Sequence, residues 1–448
     1  MAPDGPEGGG PGPRSPAYLR LLLALLLPAA LFDSYDVQLR AVLLNQLKES
    51  FHVTTAAVGA ANIPIGAGQF VAFFVVLAAD RVGRRPVLLW SVLGYSLCTT
   101  LTAISWGLWS FAAFQSGAQV FIGAEFGVAV TLWAEEVPPE RRGRSLSWLL
   151  LVSPLGAVMA GLLVALGFLH NGLGWRAFFL LAAGPLLVVF FARRRLRESQ
   201  VFLAAQGVQA PRPRRTVEDL VVGSLAVFRG PSRRRALAVG AVAFLQGLAS
   251  AAAVGWWAYY AEHERHFGTA TAGAFFAAAA LVSVPGYLAC GWLADRVGRR
   301  PAAVVYIVGA ATCAVVTFQV SGRWLMLPFL MGTAFFGIGI APALSAFATE
   351  LFPTTVRAQA SAWVRNGFGN TGSVLGPALV GILGASSAPL HSTGTAASVL
   401  AALFLLAVVP IVGAIPETRA ARLDQEGRSE GESRNGGARQ DSEPRPIS

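Results

Sequence analysis

Long apolar segments recur at short intervals from Tyr18 to Ile415. A helix needs about 20 mostly apolar residues to cross roughly 30 Å of hydrocarbon. Twelve segments reach about that length: 18–42, 56–79, 87–107, 109–134, 147–169, 176–194, 236–260, 271–294, 302–321, 324–350, 359–385 and 395–415. Because a bilayer cannot satisfy free backbone groups, and because these segments do not alternate in polarity, we expect helices rather than barrel strands. The predicted fold class is an all-α polytopic membrane protein with 12 transmembrane helices.

The composition agrees with a membrane protein. Hydrophobic residues make up 54% of the chain and charged residues only 13%, against about a quarter charged in soluble domains. The alternative interpretation of the first apolar segment is a secretory signal peptide. However, residues 1–17 are rich in Pro and Gly, and no clear cleavage site follows before Asp33. We therefore interpret the segment as helix one, preceded by a disordered arm over residues 1–17.

The distribution of basic residues predicts the orientation in the membrane. Cytoplasmic loops retain Lys and Arg, and most of the 35 Lys and Arg lie in the N-terminal arm, the connections on its side of the membrane and the tail. The other side carries Lys48, Arg176, Arg265 and Arg323. Both termini are therefore predicted to be cytoplasmic. The net charge of +11 is explained by this topology and by anionic headgroups, so we do not expect nucleic acid as a partner.

Several classes of protein are excluded by missing patterns. Cys98, Cys290 and Cys313 lie in apolar segments without metal-ligand spacing, so we predict neither a metal site nor a cofactor. Lys48 is the only lysine, and no Gly-rich loop precedes it, which excludes a Walker phosphate-binding loop. No nucleophile has a plausible base, so an enzyme is not expected. Any work must draw on an ion gradient or on a partner.

The heptamer "DRVGRRP" occurs twice, at 80–86 and at 295–301. Three further pairs recur at the same offset of 215 residues: Glu135 and Glu350, Pro138 and Pro353, and Arg142 and Arg357. Internal repeats of this kind relate two helix bundles in many transporters. We predict six-helix bundles over 18–194 and 236–415, a cytoplasmic loop over 195–235, and a cytoplasmic, mostly disordered tail over 416–448.

These motifs resemble those of the major facilitator superfamily. The resemblance rests on "DRVGRR" after helices two and eight and on "E..P...R" after helices four and ten. "RRRLRESQ" at 193–200 and "IPETRA" at 415–420 are similar to the signatures of its sugar and metabolite transporter branch. The resemblance covers residues 18–420. It implies two pseudo-symmetric bundles and secondary active transport by alternating access, but it does not identify the cargo.

The resemblance also implies a network of charges at the cytoplasmic ends of the helices. In the family, the loop Asp faces a helix N-terminus of the opposite half, and the loop arginines pair with glutamates of their own half. The implied residues are Asp80, Arg81, Gly83, Arg84, Arg85, Glu135, Arg142, Glu198, Asp295, Arg296, Gly298, Arg299, Arg300, Glu350, Arg357 and Glu417. Exposed pairs contribute about 0.2–1 kcal/mol each, so such a network forms a breakable gate. The alternative is that the arginines only set topology.

Predicted helix one contains Asp33, Asp36 and Arg40 in "FDSYDVQLR" at 32–40. A charge near the bilayer centre costs about 2.5–3.5 kcal/mol and marks a functional candidate. The two aspartates lie one turn apart, and Arg40 follows Asp36 at ion-pair spacing. "DSYD" also resembles the "DGYD" of aromatic-acid and metabolite:proton symporters in this superfamily. The alternative is a solvated helix end on which Asp36 and Arg40 form a surface pair.

Two more ionisable residues lie within predicted helices. Glu125 lies in helix four between Gly123 and Gly127, where small residues allow a neighbouring helix to approach. Arg365 lies in helix eleven. A hydrogen-bonded packing role is the alternative for Glu125, and snorkelling to the cytoplasmic surface is the alternative for Arg365.

The preferred hypothesis is a proton-coupled symporter for a small polar or anionic metabolite. Carboxylates on helices one and four would take and release a proton as their surroundings change, while Arg40 or Arg365 attracts the substrate. The alternatives are a proton-coupled drug or metabolite exporter and a nutrient sensor that does not transport. The expected partners are the substrate, protons and the lipid bilayer. We expect a monomer in the cell membrane.

Overall fold

The computed structural model describes residues 15–137, 139–170, 172–194, 196, 198–199, 225–228, 232–352 and 354–417. Helices account for nearly all of these residues, and no strand occurs among them. The first half contains α1 (Pro16–Val42), α2 (Leu44–Phe51), α3 (Thr55–Val82), α4 (Arg84–Ala103), α5 (Leu108–Glu136), α6 (Pro139–Ala165) and α7 (Arg176–Arg193). The second half contains α8 (Ser232–Tyr259), α9 (Thr269–Arg296), α10 (Arg299–Gln319), α11 (Arg323–Gly337), α12 (Ala341–Glu350), α13 (Thr354–Ala362), α14 (Asn370–Leu383), α15 (Thr393–Ala402) and α16 (Val408–Ala414).

Within the described residues, nine helical segments are long and apolar enough to cross a membrane. They contain α1, α3, α4, α7, α8, α9, α10, α11 with α12, and α15 with α16. Three of the twelve predicted spans remain, and α5, α6 and the stretch from α13 to α14 correspond to them. The structure is thus consistent with twelve spans. The predicted ends differ from the observed ones by several residues, because helices continue past the apolar core into polar turns.

Predicted helix ten, 324–350, is interrupted in the structure. α11 ends at Gly337 and α12 begins at Ala341. Pro342 at the start of α12 has no N–H to donate to a continuous helix. Predicted helix eleven is interrupted as well, by a π-helical segment over Trp363–Gly369 between α13 and α14.

The two halves repeat the same helix packing. In the first half α3 and α4 pack on α5, and α1 packs on α6. In the second half α9 and α10 pack on α11, and α8 packs on α14. The bundles meet where α6 packs on α9, α3 on α14 and α1 on α8. These pairings form the pseudo-symmetric pair of bundles that the sequence repeat predicts.

The predicted "DRVGRRP" loops are shorter than expected. Asp80 and Asp295 lie in the last turns of α3 and α9, and the chain reverses at Gly83 and Gly298. These glycines have φ of 109° and 119°, a region that L side chains rarely adopt. We call the end of the molecule with these two turns the basic face. The end with α2 and residues 260–264 is the opposite face.

Replacing Gly298 with Ala is expected to destabilise the protein. Gly298 has φ of 119° and ψ of 160°, a region that is almost confined to glycine and costs another residue about 1–3 kcal/mol, and the added Cβ would lie 2.7 Å from Glu417 Oε2. Gly291→Ala is the matched control, because a Cβ at this helical position meets no atom within 4 Å. Thermal unfolding of the purified protein, followed by tryptophan fluorescence, should give a lower Tm for Gly298→Ala only. Equal Tm values for the two variants would contradict this explanation of the turn.

Candidate functional site

A cavity of about 340 Å³ lies between the two bundles. Its walls come from α1, α2, α3 and α5 on one side and from α8, Ile338 and α14 on the other. Most of the lining is apolar, and the polar lining residues are Asn62, Gln69, Gln119, Gln38, Arg40, Ser250 and Ser373. Arg40 is the only charged residue among the lining residues, all of which lie in the described part of the chain. Such a cavity suits a small molecule with an apolar body and one negative group.

Hydrogen bonds join the two bundles at the opposite face. Asn45 Nδ2 and Gln46 Nε2 donate to Glu262 Oε2 at 3.1 and 3.0 Å. Lys48 Nζ donates to the Tyr259 hydroxyl at 2.8 Å. Asn45, Gln46 and Lys48 belong to α2, whereas Tyr259 and Glu262 belong to the end of α8 and the π-helical segment after it. The bundles are therefore held together at the opposite face, next to the cavity.

Glu125 lies in a buried ion pair with Arg193. Both side chains are fully buried or nearly so, and Arg193 Nη1 lies 2.5 Å from Glu125 Oε1. The Arg193 guanidinium also donates to the Leu25 carbonyl oxygen, at 3.0 Å from Nη2. α5, α7 and α1 are thereby connected through one guanidinium. The position of Arg193 at the end of an apolar segment predicts a cytoplasmic arginine. The only sign in the sequence that Glu125 needs a partner from elsewhere is that its own helix contains no Lys or Arg.

Asp33 lies near this pair, and Asp36 follows three residues later on α1. Both aspartates are buried, and the charges of Glu125 and Arg193 act on Asp33. Within the described residues, the carboxylate oxygens of Asp33 have no hydrogen-bond donor, whereas the Gln115 side chain is a polar neighbour of Asp36. A buried carboxylate without a donor is costly when ionised. With Arg40, the cluster therefore contains three carboxyl groups and two guanidinium groups.

Arg40 connects the cluster to the cavity. Its side chain lines the cavity, and it is the positive charge that acts most strongly on Asp36. The two groups form no ion pair within 4 Å in the described structure, although their spacing along α1 would permit one. Asp36 has 0% exposure, which excludes the surface-pair interpretation. A charge bound in the cavity at Arg40 would therefore change the electrostatic environment of Asp36.

Arg365 lies apart from this cluster. It belongs to the π-helical segment over 363–369 and its side chain is exposed. The guanidinium lies 4.8 Å from the centre of the Phe126 ring, in the other bundle. Its charge also acts on the Tyr287 hydroxyl, and Tyr287 lines a second, smaller cavity. Arg365 does not line the larger cavity, so Arg40 is the better placed of the two predicted arginines.

Ion pairs on the basic face recur in the two halves. Arg84 Nη2 lies 2.9 Å from Glu135 Oε1, and Arg299 Nη2 lies 3.4 Å from Glu350 Oε1. The same arginines donate to the carbonyl oxygens of Ala79 and Ala294. These contacts connect the turn between α3 and α4 to α5, which carries Glu135. In the second half they connect the turn between α9 and α10 to α12, which carries Glu350.

Glu198 and Glu417 each bind the N-terminus of a helix. Glu198 accepts hydrogen bonds from the backbone N–H groups of Arg84 and Arg85, at 2.8 and 3.2 Å. Glu417 does the same for Arg299 and Arg300, at 2.8 and 3.0 Å. A carboxylate is favourable at this end of a helix because the first N–H groups have no partner within the helix. The sequence indicated the four arginines and two glutamates but not this geometry.

The other predicted members of the network have different positions. Asp295 pairs with Arg299 of its own half at 2.9 Å, and its side chain is 73% exposed. The Arg296 guanidinium lies 4.5 Å from the centre of the Trp292 ring, and Arg357 donates to the Phe352 carbonyl oxygen. The side chains of Asp80, Arg81 and Arg142 lie outside the described part of the structure. Contact of the loop aspartates with the opposite half stays a prediction.

Comparisons with known proteins agree with this architecture. The family model described as "Major Facilitator Superfamily" matches residues 26–365 and 239–444. The "Cis,cis-muconate transport protein" of Acinetobacter baylyi is 27% identical, over 88% of this chain and 92% of its own length. The "Gallate transporter" of Pseudomonas putida is 28% identical, over 82% of this chain and 85% of its own length.

Among solved structures, the D-xylose-proton symporter superposes with a TM-score of 0.72 at 16% identity. The superposition covers 90% of this chain and 99% of that chain, so the fold is shared over nearly the whole length. The chain thus belongs to the Major Facilitator Superfamily and is a multi-pass membrane transporter, not an enzyme.

Proposed function

We propose that this transporter moves a small organic anion together with a proton across the cell membrane by alternating access. The basic face, with both termini, lies in the cytoplasm, and the protein works as a monomer. The observation that carries the proposal is the position of Arg40, which both lines the cavity and acts on the buried Asp36.

Arg40 supplies the site for the anion. It is the one charged side chain among the described residues that line the largely apolar cavity, and a guanidinium offers a planar fork that matches a carboxylate. The volume of about 340 Å³ is at the small end of ligand cavities. The names of the relatives describe transporters of muconate and gallate, which are small carboxylic acids. These observations support an organic acid as the substrate.

Asp33 supplies the proton site. The cluster contains one more carboxyl than guanidinium groups, and a proton on one carboxyl makes it neutral. When a substrate carboxylate binds Arg40, its negative charge offsets the positive charge of Arg40. Arg40 then stabilises the ionised form of Asp36 less. A proton then binds the cluster more readily, and by thermodynamic linkage the proton also favours binding of the anion. Movement of both together adds no net charge to the cluster, so the loaded and the empty protein carry the same charge within the membrane.

The basic face supplies the gate that opens and closes. In the proposed cycle, Asp80 and Asp295 contact the opposite half when that face is closed. In the structure, the exposed Asp295 side chain forms an ion pair with Arg299 of its own half. Exposed pairs of this kind contribute about 0.2–1 kcal/mol each. Thermal motion and bound substrate are sufficient to break them.

Replacing Arg40 with Gln is expected to weaken binding of a monocarboxylate probe such as benzoate. Hydrogen bonds to a charged group contribute about 1.5–3 kcal/mol, so the Kd should rise about 10- to 100-fold. Calorimetry on the purified protein measures the Kd. The control is Arg233→Gln, an exposed arginine at the start of α8 that does not line the cavity and is not part of the implied charge network, and it should leave the Kd unchanged. An unchanged Kd for Arg40→Gln would refute the proposed anion site.

The direction of coupling is tested in proteoliposomes with an acidic exterior. Uptake of the labelled probe together with internal acidification supports symport. If the same gradient drives the probe outwards, the protein is an exporter.

A further inference from the structure

The second cavity, of about 90 Å³, also lies between the two bundles. α1 and α6 line it from one bundle, and α8, α9 and α11 line it from the other. No lining residue is charged, and the polar ones are Ser34, Gln38, Ser153, Trp257, Ser283 and Tyr287. Because the lining is uncharged, the cavity suits a small neutral group better than an ion.

Trp257 lines this cavity and carries a buried hydrogen-bond donor. Its side chain is fully buried, and Nε1 has no hydrogen-bond acceptor within the described structure. The preceding residue differs, because Trp256 Nε1 donates to the Pro377 carbonyl oxygen at 2.8 Å. A buried N–H without an acceptor is costly. A ligand that brings an acceptor to Trp257 would remove this cost.

The two cavities share part of their walls. Gln38, Val254 and Ile338 line both of them. Gln38 precedes Arg40 by two residues on α1, so one short stretch of this helix lines both the charged and the uncharged cavity. Ile338 lies in the interruption between α11 and α12. The two cavities are therefore adjacent to each other.

We propose that the Trp257 Nε1–H is the donor of a second substrate subsite. The subsite takes a neutral hydrogen-bond acceptor of the substrate, such as a ring nitrogen or a keto oxygen, while Arg40 holds the carboxylate. This inference rests on the proposed function, because it requires an organic anion in the larger cavity. The substrate class is thus a carboxylate with a hydrogen-bond acceptor at the far end of an apolar body.

Benzoate and nicotinate test the subsite, because they differ by one ring nitrogen at nearly the same size. We expect the unmodified protein to bind nicotinate more tightly than benzoate. Trp257→Phe keeps an aromatic ring and removes the N–H, so the Kd of nicotinate should rise about tenfold. The Kd of benzoate should change less than about twofold. Calorimetry on the purified full-length protein gives all four values.

Trp175→Phe is the matched control. The Trp175 Nε1 is also buried without an acceptor in the described part of the chain, but Trp175 lines neither cavity. This variant should leave both Kd values unchanged. The subsite is refuted if Trp257→Phe weakens both probes equally or neither, as it would if water filled the small cavity. If Arg40→Gln leaves the Kd of benzoate unchanged, or if neither probe binds the unmodified protein, the proposed function is refuted instead.

Discussion

Replacing Asp33 with Asn is expected to abolish accumulation of the substrate without abolishing exchange. An amide resembles the protonated carboxyl, so the variant stays in the state that binds the anion and changes access. It cannot release a proton, and therefore cannot use a proton gradient. One pH unit corresponds to about 1.4 kcal/mol per proton, or about tenfold accumulation. We expect about tenfold accumulation for the unmodified protein and about onefold for Asp33→Asn.

The measurement uses proteoliposomes with an imposed pH gradient and a labelled monocarboxylate. Counterflow without a gradient, measured on the same preparation, reports exchange. Glu49→Gln removes an exposed carboxylate on α2, outside the buried cluster, and should behave like the unmodified protein. If Asp33→Asn still accumulates the probe about tenfold, Asp33 is not the proton site.

Replacing Arg193 with Met is expected to lower the free energy of unfolding by about 3–5 kcal/mol. The substitution removes one partner of a buried pair and leaves Glu125 as an uncompensated buried charge. It also removes the donor to the Leu25 carbonyl oxygen. Arg194→Met is the control, because the neighbouring arginine is exposed and stacks on Phe190 and Phe191. We expect less than about 1 kcal/mol for the control.

A double variant separates the charge from the packing. Glu125→Leu combined with Arg193→Met removes both charges, and replacing a buried pair by apolar residues is often close to neutral. It should recover most of the stability lost in Arg193→Met, apart from the contact with Leu25. Unfolding in denaturant, followed by tryptophan fluorescence, compares the three proteins. Equal losses for the single and double variants would show that the ion pair is not the cause.

Much of the fold could be predicted from the sequence. Segments long enough to cross a bilayer must form helices, because hydrocarbon leaves a backbone no other partner. The offset of 215 residues between the "DRVGRRP" copies indicated the duplication, and the packing of α3 on α5 and of α9 on α11 repeats it. The interruption at residues 338–340 was not predicted. A proline in the middle of an apolar run, such as Pro342 in the predicted span 324–350, is compatible with a kink, a break or a continuous helix.

The candidate site was predicted only in part. Asp33, Asp36, Arg40 and Glu125 were recognisable one by one, because a charge inside a membrane helix is expensive wherever it occurs. The sequence could not indicate that Arg193 pairs with Glu125, since an arginine at a helix end is more often a cytoplasmic anchor. Nor could it show that Glu198 and Glu417 bind backbone N–H groups.

The sequence by itself determined that this chain forms a duplicated bundle of membrane helices with polar groups inside. These properties depend on local length, hydropathy and repetition, which each segment expresses independently of its neighbours. Only the tertiary structure decided which of those polar groups meet. The pairing of Arg193 with Glu125, the position of Arg40 between the cavity and the cluster, and the Trp257 N–H without an acceptor in the described structure depend on how helices distant in sequence rotate against one another. Successive side chains of a helix point about 100° apart. The rotation of each helix against its neighbours therefore decides whether a side chain meets a buried partner or faces lipid, and only the packing of the helices sets that rotation.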